Sequence, residues 1–387
     1  MQFRTRAIHA GSPPDPQTGA VVPPLHLATT FVQHAAGEWR DFDYARSGNP
    51  TRQQLEAAVA DLEGVDLQKG GGALAFSTGM AAIHCVTARL AAGDHVVAGS
   101  DIYGGTYRLM HKVMNRAGVG VSLADSTDLS ALEAAMTPET KLVWVESPGN
   151  PRMTITDIAA AADLAHKHGA LLGCDATFAT PVLTRPLELG ADIVMHSATK
   201  YYGGHSDVMG GLLATRDQQL YEDLYFIQNA TGGVMGPLEC FLTRRGIKTL
   251  EVRVREQSRT ALALAEWLAG HERVARVLYP GLPTHPGHEI AARQMRGGFG
   301  GMITFELRGG YDAAKRAVEA TRLFQLAVSL GAVESLIEQP ASMSHASYDA
   351  DAQRAHGITP GMIRLSVGLE AAEDLQADLD AAITAAG

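Results

Sequence analysis

From about residue 51 onward the chain alternates short apolar runs with amphipathic stretches. RQQLEAAVADLEG carries its apolar residues at helical spacing and is closed by Gly64, so it predicts a helix. ALAF at 73–76 predicts a strand, and STGMAAIHCVTARLAAGD a turn followed by a helix. HVVA at 95–98 reads as a strand and TYRLMHKVMNRAG as a helix ending at Gly118. VGVSLAD, KLVWVES at 141–147, LLGCDAT at 171–177 and ADIVMHS at 191–197 are further strands. LSALEAAM and ITDIAAAADLAHKHG are the helices between them. Nearly uninterrupted apolar strands separated by helices describe a mostly parallel sheet covered on both faces.

A long helical stretch over 237–270 leads into a second unit. There VLYP, MITFELR, SLIEQP and MIRLSVG predict strands, and DAAKRAVEATRLF and AEDLQADLDAAI predict helices. The expected fold is α/β, with a large, mostly parallel-sheet domain over 48–244 and a smaller α/β C-terminal domain over 245–387. Residues 1–47 lack this periodicity and contain Pro13, Pro14, Pro16, Pro23 and Pro24. A segment that long without its own core needs an anchor, and apolar words such as VVPPLHLATTF suit the surface of a neighbouring subunit.

Composition narrows the function classes. The 42 acidic against 32 basic residues leave a net charge of −10, so no basic face is available to displace phosphate counterions, and nucleic-acid binding is not expected. Cys85, Cys174 and Cys240 are far apart, odd in number and set in apolar runs. They predict buried thiols rather than a disulfide framework or a thiolate zinc site. The first residues carry no apolar stretch of signal-peptide type, and no run of about 18 uncharged apolar residues occurs. The expectation is a cytoplasmic protein without a membrane span.

In an open α/β sheet, ligands gather beyond the carboxyl ends of the strands. Ser77-Thr78-Gly79-Met80 lies where a strand turns into a helix, so free amides and a positive dipole end could seat a phosphate; a plain helix cap would look the same. Asp175 closes a strongly apolar strand and needs a cationic or donor partner, either an ion-pairing side chain or a protonated heterocycle. Lys200 follows DIVMHSAT, where desolvation would favour Schiff-base chemistry; alone it would pass for a surface charge. Ser197 and Thr199 offer hydroxyls beside it, and Tyr103 could stack on a ring. A phosphate seat, an acid for a ring nitrogen and a lysine for an aldehyde together suit pyridoxal phosphate.

Competing motifs are missing. Neither GxGxxG nor GxxxxGK[ST] nor GxSxG occurs. His288-Glu289 lacks the second histidine of a zinc protease, and His285 and His288 flank Pro286-Gly287 as loop residues, so no metal constellation is expected.

The motifs resemble those of the cystathionine γ-synthase/γ-lyase group of pyridoxal phosphate enzymes, the Cys/Met-metabolism family, over nearly the whole chain. The matching words are Tyr44-Ala-Arg46-Ser-Gly-Asn-Pro-Thr51, Ser77-Thr-Gly-Met-Ala-Ala82, Tyr103-Gly-Gly-Thr106, Glu146-Ser-Pro-Gly-Asn-Pro151 and Asp175-Ala-Thr-Phe178. They continue with His196-Ser-Ala-Thr-Lys200, Gly204-His-Ser-Asp207, Arg245-Gly-Ile-Lys-Thr-Leu250, Ser329-Leu-Gly331 and Ile363-Arg-Leu-Ser-Val-Gly-Leu369.

The resemblance implies a fold-type I, aspartate aminotransferase-like enzyme that acts on a small sulfur amino acid. By it, Lys200 bonds the cofactor and shuttles protons, Asp175 holds the pyridine nitrogen with Thr177 beside it, and Tyr103 stacks on the ring and protonates the leaving group. Ser77, Gly79, Met80, Ser197 and Thr199 bind the phosphate, with Tyr44 and Arg46 reaching it from the adjacent subunit of a homotetramer of dimers. Arg364, assisted by Asn150 and Ser329, takes the substrate carboxylate.

Asp43 and Arg108 look like the distal polar positions of γ-lyases and γ-synthases, whereas Val328 replaces their usual glutamate and resembles some β-lyases and methionine γ-lyases. Met343-Ser344-His345-Ala346 also leans towards β-lyases, and Gly105 stands where methionine γ-lyases have cysteine. Ala176 departs from the family's usual asparagine. The expected activity is γ-elimination on cystathionine, with β-elimination, γ-replacement and methionine γ-elimination as alternatives, and a non-catalytic cofactor-binding protein further behind.

Overall fold

The computed structural model describes residues 1–344, 346, 353 and 357–387. Its first sheet has seven strands: β1 (Gly72–Phe76), β2 (His95–Gly99), β3 (Gly120–Ala124), β4 (Thr140–Glu146), β5 (Leu171–Asp175), β6 (Ile193–Ser197) and β7 (Gly211–Thr215). Their order is β1-β7-β6-β5-β4-β2-β3, parallel throughout except that β7 runs antiparallel to both β1 and β6. Side chains alternate between two apolar layers. Leu172, Cys174, Val194 and Leu212 face the layer that includes Leu55 and Ile158, while Leu74, Trp144, Ile193, Met195 and Leu213 face the layer that includes Ile83 and Val86. This period of two decides which face each polar strand-end residue serves.

The second sheet contains β8 (Val274–Leu278), β9 (Met302–Leu307), β10 (Gln325–Leu326), β11 (Leu336–Glu338) and β12 (Met362–Ser366) in the order β10-β11-β12-β9-β8. Helices Leu250–Ala269, Gly310–Ala320 and Ala372–Ala385 contribute Leu264, Ala314 and Leu379 to its core, so the chain is α/β in both units. All three cysteines are free and buried, as their apolar settings predict. No helix among the described residues is long and apolar enough to cross a membrane.

Several elements differ from the sequence reading. The helix Phe3–His9 forms within the supposedly irregular start, buries Ala7 and packs on helices Pro50–Leu62 and Leu250–Ala269 of the same chain. The stretch 237–270 is two helices, Pro237–Ile247 and Leu250–Ala269, broken at Lys248 and Thr249. TYRLMHKVMNRAG passes from α-helix (Gly104–Arg108) through a π-turn (Leu109–Val113) to a 3-10 turn (Met114–Ala117). Strand β7 and helix Gln218–Thr231 were not expected, and His288 opens the helix His288–Gln294 instead of lying in a loop. Of the word spanning 343–346, His345 lies outside the described residues.

Candidate active site

The ends of β5 and β6 are tied together. Thr177 donates from its backbone N and its Oγ1 to Asp175 Oδ1 at 2.9 and 2.6 Å, and Ser197 N donates to Thr177 Oγ1 at 2.8 Å. Both bonds to Asp175 fall on Oδ1, which leaves Oδ2 for an incoming donor. Burial pushes the Asp175 carboxyl up from its ordinary range, opposed by the Thr177 bonds and by His196. A protonated ring nitrogen would supply the positive charge that this buried acid calls for.

Beside it, Thr78 Oγ1 accepts from Ala81 N at 2.9 Å and caps the helix Gly79–Thr87. A Cβ on Gly79 would lie 2.9 Å from Met195 Cε and 3.3 Å from Ser197 Cβ. Glycine therefore lets Ser197 close on the helix's first turn, where free amides and the dipole favour an anion. Thr199 Oγ1 accepts from Gly210 N at 3.1 Å, and Ser77 N donates to Gly233 O at 2.8 Å, so the flanking loops are fixed by their own bonds.

Tyr103 ends the loop after β2, half-exposed, with its N donating to Glu146 Oε2 at 2.8 Å. A Cβ on Gly105 would lie 2.4 Å from Tyr103 Cε1 and 2.8 Å from Met80 Sδ, so the phenol ring and Met80 meet over a bare backbone.

Lys200 Nζ donates to Ser329 Oγ at 2.8 Å. Burial, with Arg364 nearby, lowers the Lys200 ammonium from its ordinary value to about 8, against the opposing pull of Glu338. Ser329 has φ 103°, a left-handed backbone that is costly for serine and typical of functional sites. Its hydroxyl meets the lysine while its carbonyl accepts from Arg364 Nη2 at 3.0 Å. Arg364 Nη1 also donates to Asn150 Oδ1 at 2.9 Å. The structure thus joins Lys200, Ser329, Arg364 and Asn150 into one bonded group.

Other expected residues lie apart from that group. Asp43 Oδ1 accepts from Tyr44 N at 2.6 Å, Arg46 Nε donates to Asn229 Oδ1 at 3.2 Å, and the Arg46 guanidinium stands 5.6 Å from the Tyr44 ring centroid. Tyr44 and Arg46 are exposed, as are Arg108 at the end of helix Gly104–Arg108 and Val328 beside Ser329.

Two buried acids, Glu338 and Glu63, escaped the sequence reading as site residues, whereas Glu146 opens the motif word Glu146-Ser-Pro-Gly-Asn-Pro151. Glu338 lies 3.0 Å from Arg364, and Glu146 holds the Tyr103 backbone. Burial and the neighbouring Asp175 push the Glu146 carboxyl well up. On the opposite sheet face, Glu63 Oε1 meets His196 Nε2 at 2.6 Å and accepts from Tyr202 OH at 3.3 Å. The available signal for Glu338 was an acid embedded in an apolar strand word, SLIEQP.

An amine of lowered proton affinity, a buried acid, an anion seat and a carboxylate receptor suit an amino-acid enzyme built around pyridoxal phosphate. The comparisons agree: the chain belongs to the family described as Cys/Met metabolism PLP-dependent enzyme, which matches residues 4–384. It is 52% identical over 98% of its length to cystathionine gamma-synthase of Mycobacterium tuberculosis, covering 96% of that protein. It is 49% identical over 98% of its length to cystathionine beta-lyase of Coxiella burnetii, covering 97% of that protein. The crystal structure of cystathionine gamma-lyase from Lactobacillus plantarum complexed with L-serine superposes with TM-score 0.95 at 44% identity, covering 100% of this chain and 99% of that one. The chain is therefore a pyridoxal phosphate-dependent enzyme of cysteine and methionine metabolism, a lyase or a synthase.

Proposed function

We propose that the enzyme cleaves L-cystathionine by γ-elimination to cysteine, 2-oxobutanoate and ammonia. The observation that carries this reading is the bonded group in which one residue, Ser329, touches both the amine of Lys200 and the guanidinium of Arg364. It offers an α-amino acid a carboxylate receptor and a proton carrier on one side of Cα. When bound, pyridoxal phosphate would supply an aldehyde for the substrate's amino group and a ring that accepts electrons from Cα.

Lys200 Nζ would hold the cofactor, Asp175, braced by Thr177, would face its ring nitrogen, and Tyr103 would flank the ring. Ser77, Gly79, Met80, Ser197 and Thr199 would seat the phosphate. Tyr44 and Arg46 would come from the neighbouring subunit of a homotetramer, with residues 1–47 as the connecting arm and 48–244 and 245–387 as the two domains. With its ammonium at about 8, Lys200 Nζ takes up and releases a proton near neutral pH, as a base at Cα must. Tyr103 would protonate the departing sulfur.

Arg364, with Asn150, would fix the α-carboxylate, while Asp43 and Arg108 would meet the distal end of cystathionine. Val328, exposed beside Ser329, adds an apolar wall there and favours a broad range of thioethers.

Two other readings have their own support. The Mycobacterium tuberculosis relative is named a synthase, which favours γ-replacement with the same groups. The Coxiella burnetii relative is named a β-lyase, and Val328 agrees with it. Incubation of the cofactor-loaded enzyme with L-cystathionine, with products identified by mass spectrometry, separates the three. Cysteine with 2-oxobutanoate is the expected result. Homocysteine with pyruvate would replace γ-elimination by β-elimination. No turnover, together with rapid condensation of an activated homoserine ester with cysteine, would make the enzyme a synthase.

A further inference from the structure

A guanidinium has five N–H donors in a fixed fork. In Arg364, Nη1 donates to Asn150 Oδ1 at 2.9 Å and is ion-paired with Glu338 Oε1 at 3.0 Å. Nη2 spends one hydrogen on Ser329 O at 3.0 Å, and Nε is buried without a partner among the described residues. Nε–H is therefore a buried donor open to an incoming acceptor, with Nη2 beside it. Nε and Nη2 flank one edge of the fork, the edge at which a guanidinium can grip a carboxylate with two parallel bonds.

Glu338 and Arg364 stand opposite each other on the antiparallel strands β11 and β12, with side chains only 1% and 4% exposed. Ser344 Oγ donates to Glu338 Oε1 at 2.7 Å and steadies it, while Glu338 Oε2 is buried without a partner among the described residues.

We propose that Glu338 is a positioning residue for the substrate carboxylate: it commits Nη1 of Arg364, turns the Nε/Nη2 edge towards the substrate, and serves as the arginine's counter-ion until the substrate arrives. This rests on the reading that Arg364 receives the α-carboxylate. Binding then brings a second carboxylate to a guanidinium that already has one, so the charge of Glu338 weakens substrate affinity while its geometry aids it. Cross-strand placement makes the two effects separable, because glutamine can keep the oxygen and remove the charge.

Lys200 lies in the same field. Arg364 lowers its proton affinity and Glu338 raises it. Glu146 and Tyr201, both buried, also lie in the field of Arg364. Removing the charge of Glu338 lowers the proton affinity of Lys200 further.

The test uses the cofactor-loaded enzyme and glycine, an α-amino acid with no side chain to eliminate, read by the change in cofactor absorbance. Glu338→Gln should bind glycine about tenfold more tightly, and the midpoint of the pH-dependent absorbance change should move about one unit towards acid. Glu338→Ala, which also removes the oxygen, should bind glycine more weakly than wild type. Glu338→Asp keeps the charge on a shorter stem, so its absorbance midpoint should stay near wild type while glycine binds more weakly. If Gln and Ala behave alike and the midpoint does not move, the proposal is overturned. Arg364→Ala tests the underlying reading separately: it should keep the cofactor's yellow colour and lose the glycine response. A wild-type response in that variant would remove the carboxylate from Arg364, and Glu338's role with it.

Discussion

Replacing Lys200 by methionine should stabilise the cofactor-free protein near neutral pH. The ammonium is lowered from 10.5 to about 8 on folding because burial, aided by Arg364, outweighs the help of Glu338. Between those values the folded chain binds fewer protons than the unfolded one, so wild-type stability rises with pH over that window, and below it the cost is fully present. At about 1.4 kcal/mol per unit, burying the charge costs about 3 kcal/mol near pH 7 and about 1 kcal/mol near pH 10. Methionine is similar in length, carries no charge, and loses only the bond to Ser329 Oγ, worth about 1 kcal/mol at any pH. The variant should therefore be more stable than wild type by about 2 kcal/mol near pH 7, and that advantage should vanish near pH 10. Urea unfolding of both proteins at equal concentration and both pH values measures this. The change in the difference with pH, about 2 kcal/mol, is independent of the lost hydrogen bond. A difference that stays constant with pH would show that Lys200 is not held as a costly buried charge.

Two further substitutions follow from contacts around the site. Gly105→Ala would drive a methyl into the Tyr103 ring and Met80 Sδ, at 2.4 and 2.8 Å in the present arrangement. It should displace the ring, weaken cofactor binding in an absorbance titration and slow turnover, whereas Gly93→Ala, where a Cβ meets nothing within 4 Å but φ is 96°, should cost stability alone. Glu63→Ala leaves His196 and Tyr202 without their hydrogen-bond partner in a site where Glu63 and His196 are 0% and 1% exposed. A buried polar group left unsatisfied costs about 1–3 kcal/mol. The Tm in a calorimetric scan should fall by several degrees, and an unchanged Tm would show that the pair adds nothing.

Much of the large sheet was legible because its parallel strands are buried on both faces and read as continuous apolar runs, as in KLVWVES and LLGCDAT. Strand β7 was not, since GLLAT follows Met209-Gly210 within a glycine-rich loop and lacks the helix-strand alternation that marks its neighbours. The helix Gln218–Thr231 hides for another reason: only Leu220, Leu224 and Gln228 are buried, so its apolar stripe is thin. Phe3–His9 is short, with two arginines, and is held by packing on other helices rather than by its own propensity.

At the site, Asp175, Ser197 and Lys200 were visible because strand ends in an open sheet are where ligands gather, whereas Thr177 entered with the family resemblance. Ser329 and Arg364 came into view only through the family resemblance, because nothing local distinguishes them; long-range pairing brings Ser329 from a loop and Arg364 from β12 to the lysine. Glu338 was overlooked although SLIEQP was read as a strand. An acid inside an apolar strand demands a partner, and β12 supplies Arg364 directly opposite.

The central claim is that Lys200 Nζ carries the cofactor. Borohydride reduction of the yellow enzyme, followed by proteolysis and mass spectrometry, fixes the cofactor to the nitrogen that holds it. The phosphopyridoxyl group should appear on the peptide containing Lys200 and on no other lysine. Its recovery on a different lysine, or retention of colour and turnover in Lys200→Ala, would contradict the assignment and the roles given to Asp175, Ser329 and Arg364 around it.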